Sequence, residues 1–161
     1  MHAVVLAGGY ATRLWPVTRN RPKMLLPIGE KTVIDRVLAA LETDDRIEDV
    51  YVSTNERFAE DFEDHVAETG LEKPRLSIED TAAEDEKFGV VGALAQLVER
   101  EGIDDEDLLV VAGDNLISFD LPEFIDAFES NDEPTLAAYD VGSYERATSY
   151  GVVELDGDEV I

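Results

Sequence analysis

Val4-Val5-Leu6-Ala7-Gly8-Gly9-Tyr10-Ala11-Thr12-Arg13-Leu14-Trp15-Pro16, continued by Arg21-Pro22-Lys23-Met24-Leu25-Leu26-Pro27-Ile28, decides the fold of this chain. Ala3 to Ala7 is a short apolar run, the pattern of a buried strand. It breaks at Gly8-Gly9, so the chain turns at the strand's C-terminal edge, where ligands sit in open α/β sheets. The two glycines let the backbone approach a ligand and turn N–H groups toward it. Four cations follow within eleven residues: Arg13, Arg19, Arg21 and Lys23. The first acidic residue is Glu30, so the remaining 132 of the 161 residues carry all 38 acids. An acid-free opening in so acidic a chain marks a site for an anion.

The double motif Leu-Ala-Gly-Gly-x-x-Thr-Arg-Leu-x-Pro and Arg-Pro-Lys-x-Leu-Leu-Pro-Ile resembles the signature of the sugar-1-phosphate nucleotidylyltransferases, the glucose-1-phosphate thymidylyltransferase-like enzymes among them. These enzymes join a sugar 1-phosphate to a nucleotide and release pyrophosphate. The stretch fits neither the dinucleotide fingerprint nor the Lys-containing phosphate loop of the nucleoside triphosphatases. The resemblance implies a nucleoside triphosphate and a sugar 1-phosphate as partners and Mg²⁺ as the cofactor.

The net charge of −25 comes from 38 acids against nine Arg and four Lys. Such self-repulsion destabilises a compact state in dilute buffer and is screened in concentrated salt, where the Debye length falls to ~3 Å at 1 M. The composition therefore suggests a halophilic protein. Its melting temperature should rise from dilute buffer to molar KCl; a flat or falling curve contradicts this. No basic face offers a nucleic-acid footprint or a contact for an anionic membrane. There is no Cys, hence no disulfide or thiolate chemistry. No apolar run approaches the ~20 residues of a membrane span. A strand begins at once, with no basic-then-apolar leader, so a cytoplasmic protein is expected. Homo-oligomerisation is left open.

Apolar spacing predicts helices over Thr32 to Glu42, from Phe58 through Phe62 and Val66 behind an Asn55 cap, over Val90 to Arg100 with Leu94, Leu97 and Val98 inward, and from Pro122 to about Ser130. Strands are expected at Val50 to Ser53, Leu76 to Ile78, Leu108 to Ala112, Thr135 to Val141 and Tyr150 to Leu155. Glu79 to Phe88 reads as an acidic loop. Leu108-Leu109-Val110-Val111-Ala112 is the most apolar run and is expected to be a central parallel strand. Alternating strands and helices imply an α/β fold, a doubly wound, mostly parallel sheet of the Rossmann-like nucleotidyltransferase type. By length, residues 1–161 form one nucleotide-binding part. Asp156-Gly157-Asp158 is a turn, and Glu159-Val160-Ile161 begins a returning strand. The chain thus stops inside a hairpin, as a truncated chain or excised fragment would. The resemblance implies an acceptor half with a Glu-Lys-Pro motif and a second metal-binding Asp, which is expected to lie outside these 161 residues.

Nucleotidyl transfer needs two anions held together, with positioning and charge neutralisation supplying the rate. Backbone groups from Leu6, Ala7, Gly8 and Gly9 to Thr12 and Arg13 would cradle the triphosphate. The planar fork of Arg13 suits the departing phosphates, and Lys23 is a point charge for the α-phosphate. The resemblance implies the same catalytic roles for both. Asp114, in Gly113-Asp114-Asn115 at a strand end, can hold Mg²⁺, and the family has a metal-binding Asp in the matching triplet. The resemblance also places Gly89 behind the nucleobase and Gly151 beside the sugar. Where the family uses a Gln to read the base, the nearest equivalent is Glu79, a pure acceptor that either contacts a base N–H or is a surface acid at a strand end. Ala11 replaces a family Gly and is expected at negative φ; Thr32 replaces a Pro. Trp15 is expected under the loop, and His2 and His65 are read as structural.

Two further functions compete. One is a non-catalytic regulatory or assembly module that binds nucleotide without turnover, against which Arg13, Lys23 and Asp114 argue together. The other is a cytidylyl or guanylyl transfer to a cofactor such as molybdopterin, which the Arg13-to-Lys23 spacing fits less well.

Overall fold

The computed structural model describes residues 1–79, 89–131, 133–157 and 159–161. In order, the regular elements are β1 (His2–Leu6), β2 (Pro27–Ile28), β3 (Lys31–Thr32), α1 (Val33–Glu42), β4 (Val50–Asn55), α2 (Ala59–Thr69), β5 (Pro74–Glu79), α3 (Gly89–Glu101), β6 (Leu108–Ala112), α4 (Leu121–Asn131), α5 (Tyr144–Ala147), β7 (Leu155–Asp156) and β8 (Glu159–Val160). Short 3₁₀ turns lie at Thr12–Leu14, Lys23–Leu25 and Glu56–Phe58. The chain divides into two compact units, Met1–Ser118 and Phe119–Ile161.

The first unit is built on a parallel four-stranded sheet in the order β5-β4-β1-β6, flanked by helices. Ala3, Val4 and Val5 have no exposed surface, so both faces of β1 are covered, as a parallel sheet requires. On one face, Leu97 of α3 and Ile103 pack with Val4 and Tyr51, and Leu6, Leu94, Val98 and Leu108 close around them. Helix α1 buries Val33, Ile34, Val37, Leu38 and Leu41, the stripe that its sequence spacing announces. Its start is a capping box, in which the Asp35 N–H donates to Thr32 Oγ1 and the Thr32 N–H to Asp35 Oδ2. The Thr that replaces the family's Pro thus caps the helix. His65 of α2 meets the other Asp35 oxygen at 2.7 Å. Burial works to raise the Asp35 pKa, but the bonds from Thr32 and His65 outweigh it and hold it below the ordinary value.

The structure corrects several expectations. Leu108–Ala112 is an edge strand of this sheet; β1 and β4 are its centre, and Val110 is half-exposed. An apolar run announces burial of its faces but carries no information about its place in the strand order. Residues 135–141 and 150–154 form no strand, and Leu136, Tyr139, Tyr150 and Val152 are exposed. Strand composition makes a strand only where a neighbour completes the backbone ladder. Among the described residues of this second unit, β7 finds one, pairing antiparallel with β8. That is the hairpin expected there, although Asp158 lies outside the described residues, as do 80–88 of the expected acidic loop. Trp15 is half-exposed with the Arg19 guanidinium over its ring, so it does not pack under the loop. Ala11 adopts φ 47, not the negative φ expected. The backbone keeps the left-handed turn that a glycine would make freely, at a cost of roughly 1–2 kcal/mol.

Candidate nucleotide-binding site

The C-terminal ends of all four parallel strands lie at one edge of the sheet, and Leu6, Glu79 and the Gly113-Asp114 pair stand at or just beyond them. From β1 the chain enters Ala7-Gly8-Gly9. Ala7 is still held to the sheet, its N–H donating to the Ser53 carbonyl at 2.7 Å. From β6 it enters Gly113-Asp114, and the Gly113 N–H donates to the Leu6 carbonyl at 3.0 Å. A Cβ on Gly113 would lie 3.2 Å from that carbonyl and 3.1 Å from Val5 Cγ1, so a larger residue there would press the two strand ends apart by a few tenths of an ångström.

That close approach joins two motifs 91 residues apart. Lys23 Nζ donates to Asp114 Oδ2 in an ion pair with both side chains about one-third exposed. Lys23 opens the 3₁₀ turn Lys23–Leu25, whose Met24 and Leu25 are buried and fix its place. The phosphate-binding cation and the metal-binding carboxylate expected from sequence are therefore neighbours. Among the described residues no group of three or more His, Cys, Asp or Glu could enclose a metal by itself. One half-exposed carboxylate fits Mg²⁺ bound together with phosphates, because that ion keeps several waters and takes one or two carboxylates plus phosphate oxygens.

Arg13 lies in the exposed turn Thr12–Leu14 and makes no hydrogen bond or ion pair among the described residues. The backbone N–H groups of Gly8, Gly9, Ala11, Thr12 and Arg13 likewise donate to no acceptor among the described residues. Together they form a row of unsatisfied donors beside a free guanidinium, with no acid between Met1 and Gly29 to compete.

Glu79 is not a surface acid. It is 7 % exposed, it accepts a hydrogen bond from Ser53 Oγ at 3.0 Å, and a Cβ on Gly8 would stand 2.6 Å from its Oε1. On β5 the polar Ser77 and Glu79 are buried while Ile78 is exposed, the reverse of what hydrophobicity alone suggests. Gly89 opens α3 at φ 72 and is exposed. Gly151 belongs to the second unit, in an exposed segment without regular structure.

Three residues around the loop were not foreseen as site residues. Asn55, fully buried at the end of β4, donates from Nδ2 to the Gly8 carbonyl at 3.0 Å and accepts the Phe58 N–H on Oδ1 at 3.2 Å. Thr18, also buried, donates to the Ala11 carbonyl at 2.8 Å. Arg57 donates to the Arg19 carbonyl at 2.6 Å, with its guanidinium over the Tyr10 and Phe58 rings. The sequence announces Asn55 only as a helix cap; its second bond runs to a residue 47 positions earlier.

The fold is an open α/β sheet with its candidate site at the C-terminal edge of the strands. The nucleotidyl transferase family model matches residues 2–161, and the chain belongs to that family. It is 34% identical over 160 residues to a protein of Sulfolobus acidocaldarius named as a mannose-1-phosphate guanyltransferase, covering 99% of this chain and 42% of that one. Among solved structures it is similar to a glucose-1-phosphate thymidylyltransferase of Bacillus anthracis in complex with sucrose, with a TM-score of 0.69 and 28% identity over 83% of this chain and 52% of that one. It is also similar to HddC of Yersinia pseudotuberculosis complexed with GMP-PN, with a TM-score of 0.62 and 27% identity over 80% of this chain and 54% of that one. The chain thus spans about half the length of the relatives it matches. No helix among the described residues is long and apolar enough to cross a membrane.

Proposed function

We propose that this chain carries the donor side of a sugar-1-phosphate nucleotidylyltransferase. The observation that carries the reading is the acid-free loop, in which the N–H groups of Gly8, Gly9, Ala11, Thr12 and Arg13 find no acceptor among the described residues, together with the Lys23–Asp114 pair at the sheet's C-terminal edge. A sugar phosphate oxygen attacks the α-phosphorus of a nucleoside triphosphate; the bond from the α-phosphorus to the bridging oxygen breaks, and pyrophosphate leaves with that electron pair. The loop amides and Arg13 hold the leaving phosphates, while Lys23 neutralises charge on the α-phosphate. Asp114 would hold Mg²⁺, which when bound supplies further neutralisation of phosphate charge. Gly151 is the candidate for the sugar side.

Glu79 suggests the base. Its carboxylate only accepts hydrogen bonds. Guanine alone among the bases offers two adjacent donors on its pairing edge, N1–H and the exocyclic amine, matched to two carboxylate oxygens. Adenine and cytosine each set one donor beside an acceptor that a carboxylate repels, and uracil and thymine flank one donor with carbonyls. The guanyltransferase name of the Sulfolobus relative and the GMP-PN bound to the Yersinia one agree with guanine, while the Bacillus relative is named for thymidylyl transfer. The test is thermal stabilisation by each nucleoside triphosphate in Mg²⁺ and molar KCl. GTP should give the largest shift, and Glu79→Gln should shrink its advantage over the other bases by about tenfold in affinity, given that a good bidentate base contact is worth roughly 1–3 kcal/mol. An unchanged preference in Glu79→Gln rules out this role, and no stabilisation by any nucleotide rules out the donor site.

A further inference from the structure

We propose that Asn55 and Thr18 are positioning residues that aim the phosphate-binding amides of the loop; the inference rests on the donor-site reading above. Each holds a loop carbonyl from below: Asn55 the Gly8 carbonyl at 3.0 Å, Thr18 the Ala11 carbonyl at 2.8 Å. Both peptide units that carry these carbonyls are trans. In a planar trans peptide the C=O and the following N–H point in opposite directions. Fixing the Gly8 carbonyl on buried Asn55 therefore turns the Gly9 N–H away from the core. The Ala11 carbonyl, which accepts the Leu14 N–H at 2.9 Å as well as the hydroxyl of buried Thr18, is fixed in the same way and turns the Thr12 N–H outward. The surroundings agree. Gly9 and Thr12 are exposed, nothing lies within 4 Å of a Cβ built on Gly9, and neither N–H has an acceptor among the described residues.

The two holds brace a loop that has reason to move. Glycine costs more backbone entropy on ordering than any other residue, and Ala11 sits at a left-handed φ of 47. A Gly8-Gly9 peptide free to rotate would present its carbonyl to the phosphates as readily as its N–H. Asn55 and Thr18 remove that alternative before the ligand arrives, and preorganisation of this kind raises affinity by lowering the cost of ordering on binding. Asn55 reaches both ways: one arm starts the turn into α2 and the other sets the loop, so the β4–α2 corner and the loop are placed by one side chain.

The experiment separates these roles. Asn55→Ser keeps an N-cap hydroxyl for the Phe58 N–H but is too short to reach the Gly8 carbonyl. Thr18→Val keeps the shape and removes the hydroxyl; Thr18→Ser restores the donor. The probe is inorganic pyrophosphate, which reports on the loop whatever the base, titrated calorimetrically into the 161-residue chain in Mg²⁺ and molar KCl. Asn55→Ser and Thr18→Val should each weaken pyrophosphate about tenfold, and Thr18→Ser should recover most of the loss. Melting curves run in parallel identify variants that are merely destabilised. Parent-like pyrophosphate affinity in both Asn55→Ser and Thr18→Val, with or without a lower melting temperature, overturns the proposal and leaves the donor site standing. A parent chain that binds neither pyrophosphate nor any nucleoside triphosphate removes the donor site and this proposal together.

Discussion

Arg13→Ala and Lys23→Ala should each slow nucleotidyl transfer by about 10² or more, the loss expected when one fixed donor is withdrawn from developing charge. The measurement is pyrophosphate release from a nucleoside triphosphate and a sugar 1-phosphate, made on a longer chain that includes a sugar-phosphate acceptor part. The two variants should differ in everything but rate. Arg13 is exposed and has no described partner, so its removal should leave the melting temperature unchanged within the usual ±0.5 kcal/mol of a surface substitution. Lys23 is bonded to Asp114, so its removal leaves that carboxylate without a counter-charge. Lys23→Ala should therefore bind Mg²⁺ alone more tightly than the parent while transferring poorly. Lys23→Arg should not rescue the rate, because a planar fork does not replace a compact point charge. Near-parental turnover in Arg13→Ala or Lys23→Ala would sink the assignment.

Asp114→Asn should abolish the Mg²⁺-dependent part of nucleotide binding and leave the fold intact. Asn keeps the shape of Asp and removes its charge. The ion pair it forfeits is about one-third exposed on both sides, and pairs of that kind contribute only ~0–1 kcal/mol to stability. The effect should therefore appear in calorimetry of nucleotide with and without Mg²⁺, and hardly at all in a melting curve. If Asp114→Asn binds the metal–nucleotide complex as the parent does, Asp114 is only the turn residue that closes β6.

In the proposed reading, Arg13, Lys23, Asp114 and the loop amides would all act on a triphosphate or its metal. Catalysis also needs the second anion oriented, and that contribution can supply much of the gain. The 161-residue chain should bind Mg²⁺–nucleotide yet release pyrophosphate poorly when a sugar 1-phosphate is added. Turnover at ordinary rates of ~1–10³ per second would place the acceptor site inside this chain.

The sequence by itself determined what is local. Apolar periods located α1, α2, α3 and α4, Asn55 was legible as a cap, and the apolar run before Gly8-Gly9 located β1 and the loop. The absence of acid before Glu30 marked the candidate anion site, because charge composition needs no folding to be read. The tertiary structure alone decided what depends on partners distant in the chain. It put β6 at an edge of the sheet, left 135–141 without a ladder, and brought Lys23 to Asp114. It also buried Ser53, Asn55 and Glu79 beneath Gly8, polar residues that any hydrophobicity pattern sends to the surface. Their burial is tolerable only because each finds a hydrogen-bond partner there, and those partners lie 3 to 47 residues away along the chain. A period or a cap is written in neighbouring residues; a satisfied buried carboxylate or a pinned carbonyl exists only once the strands have been ordered.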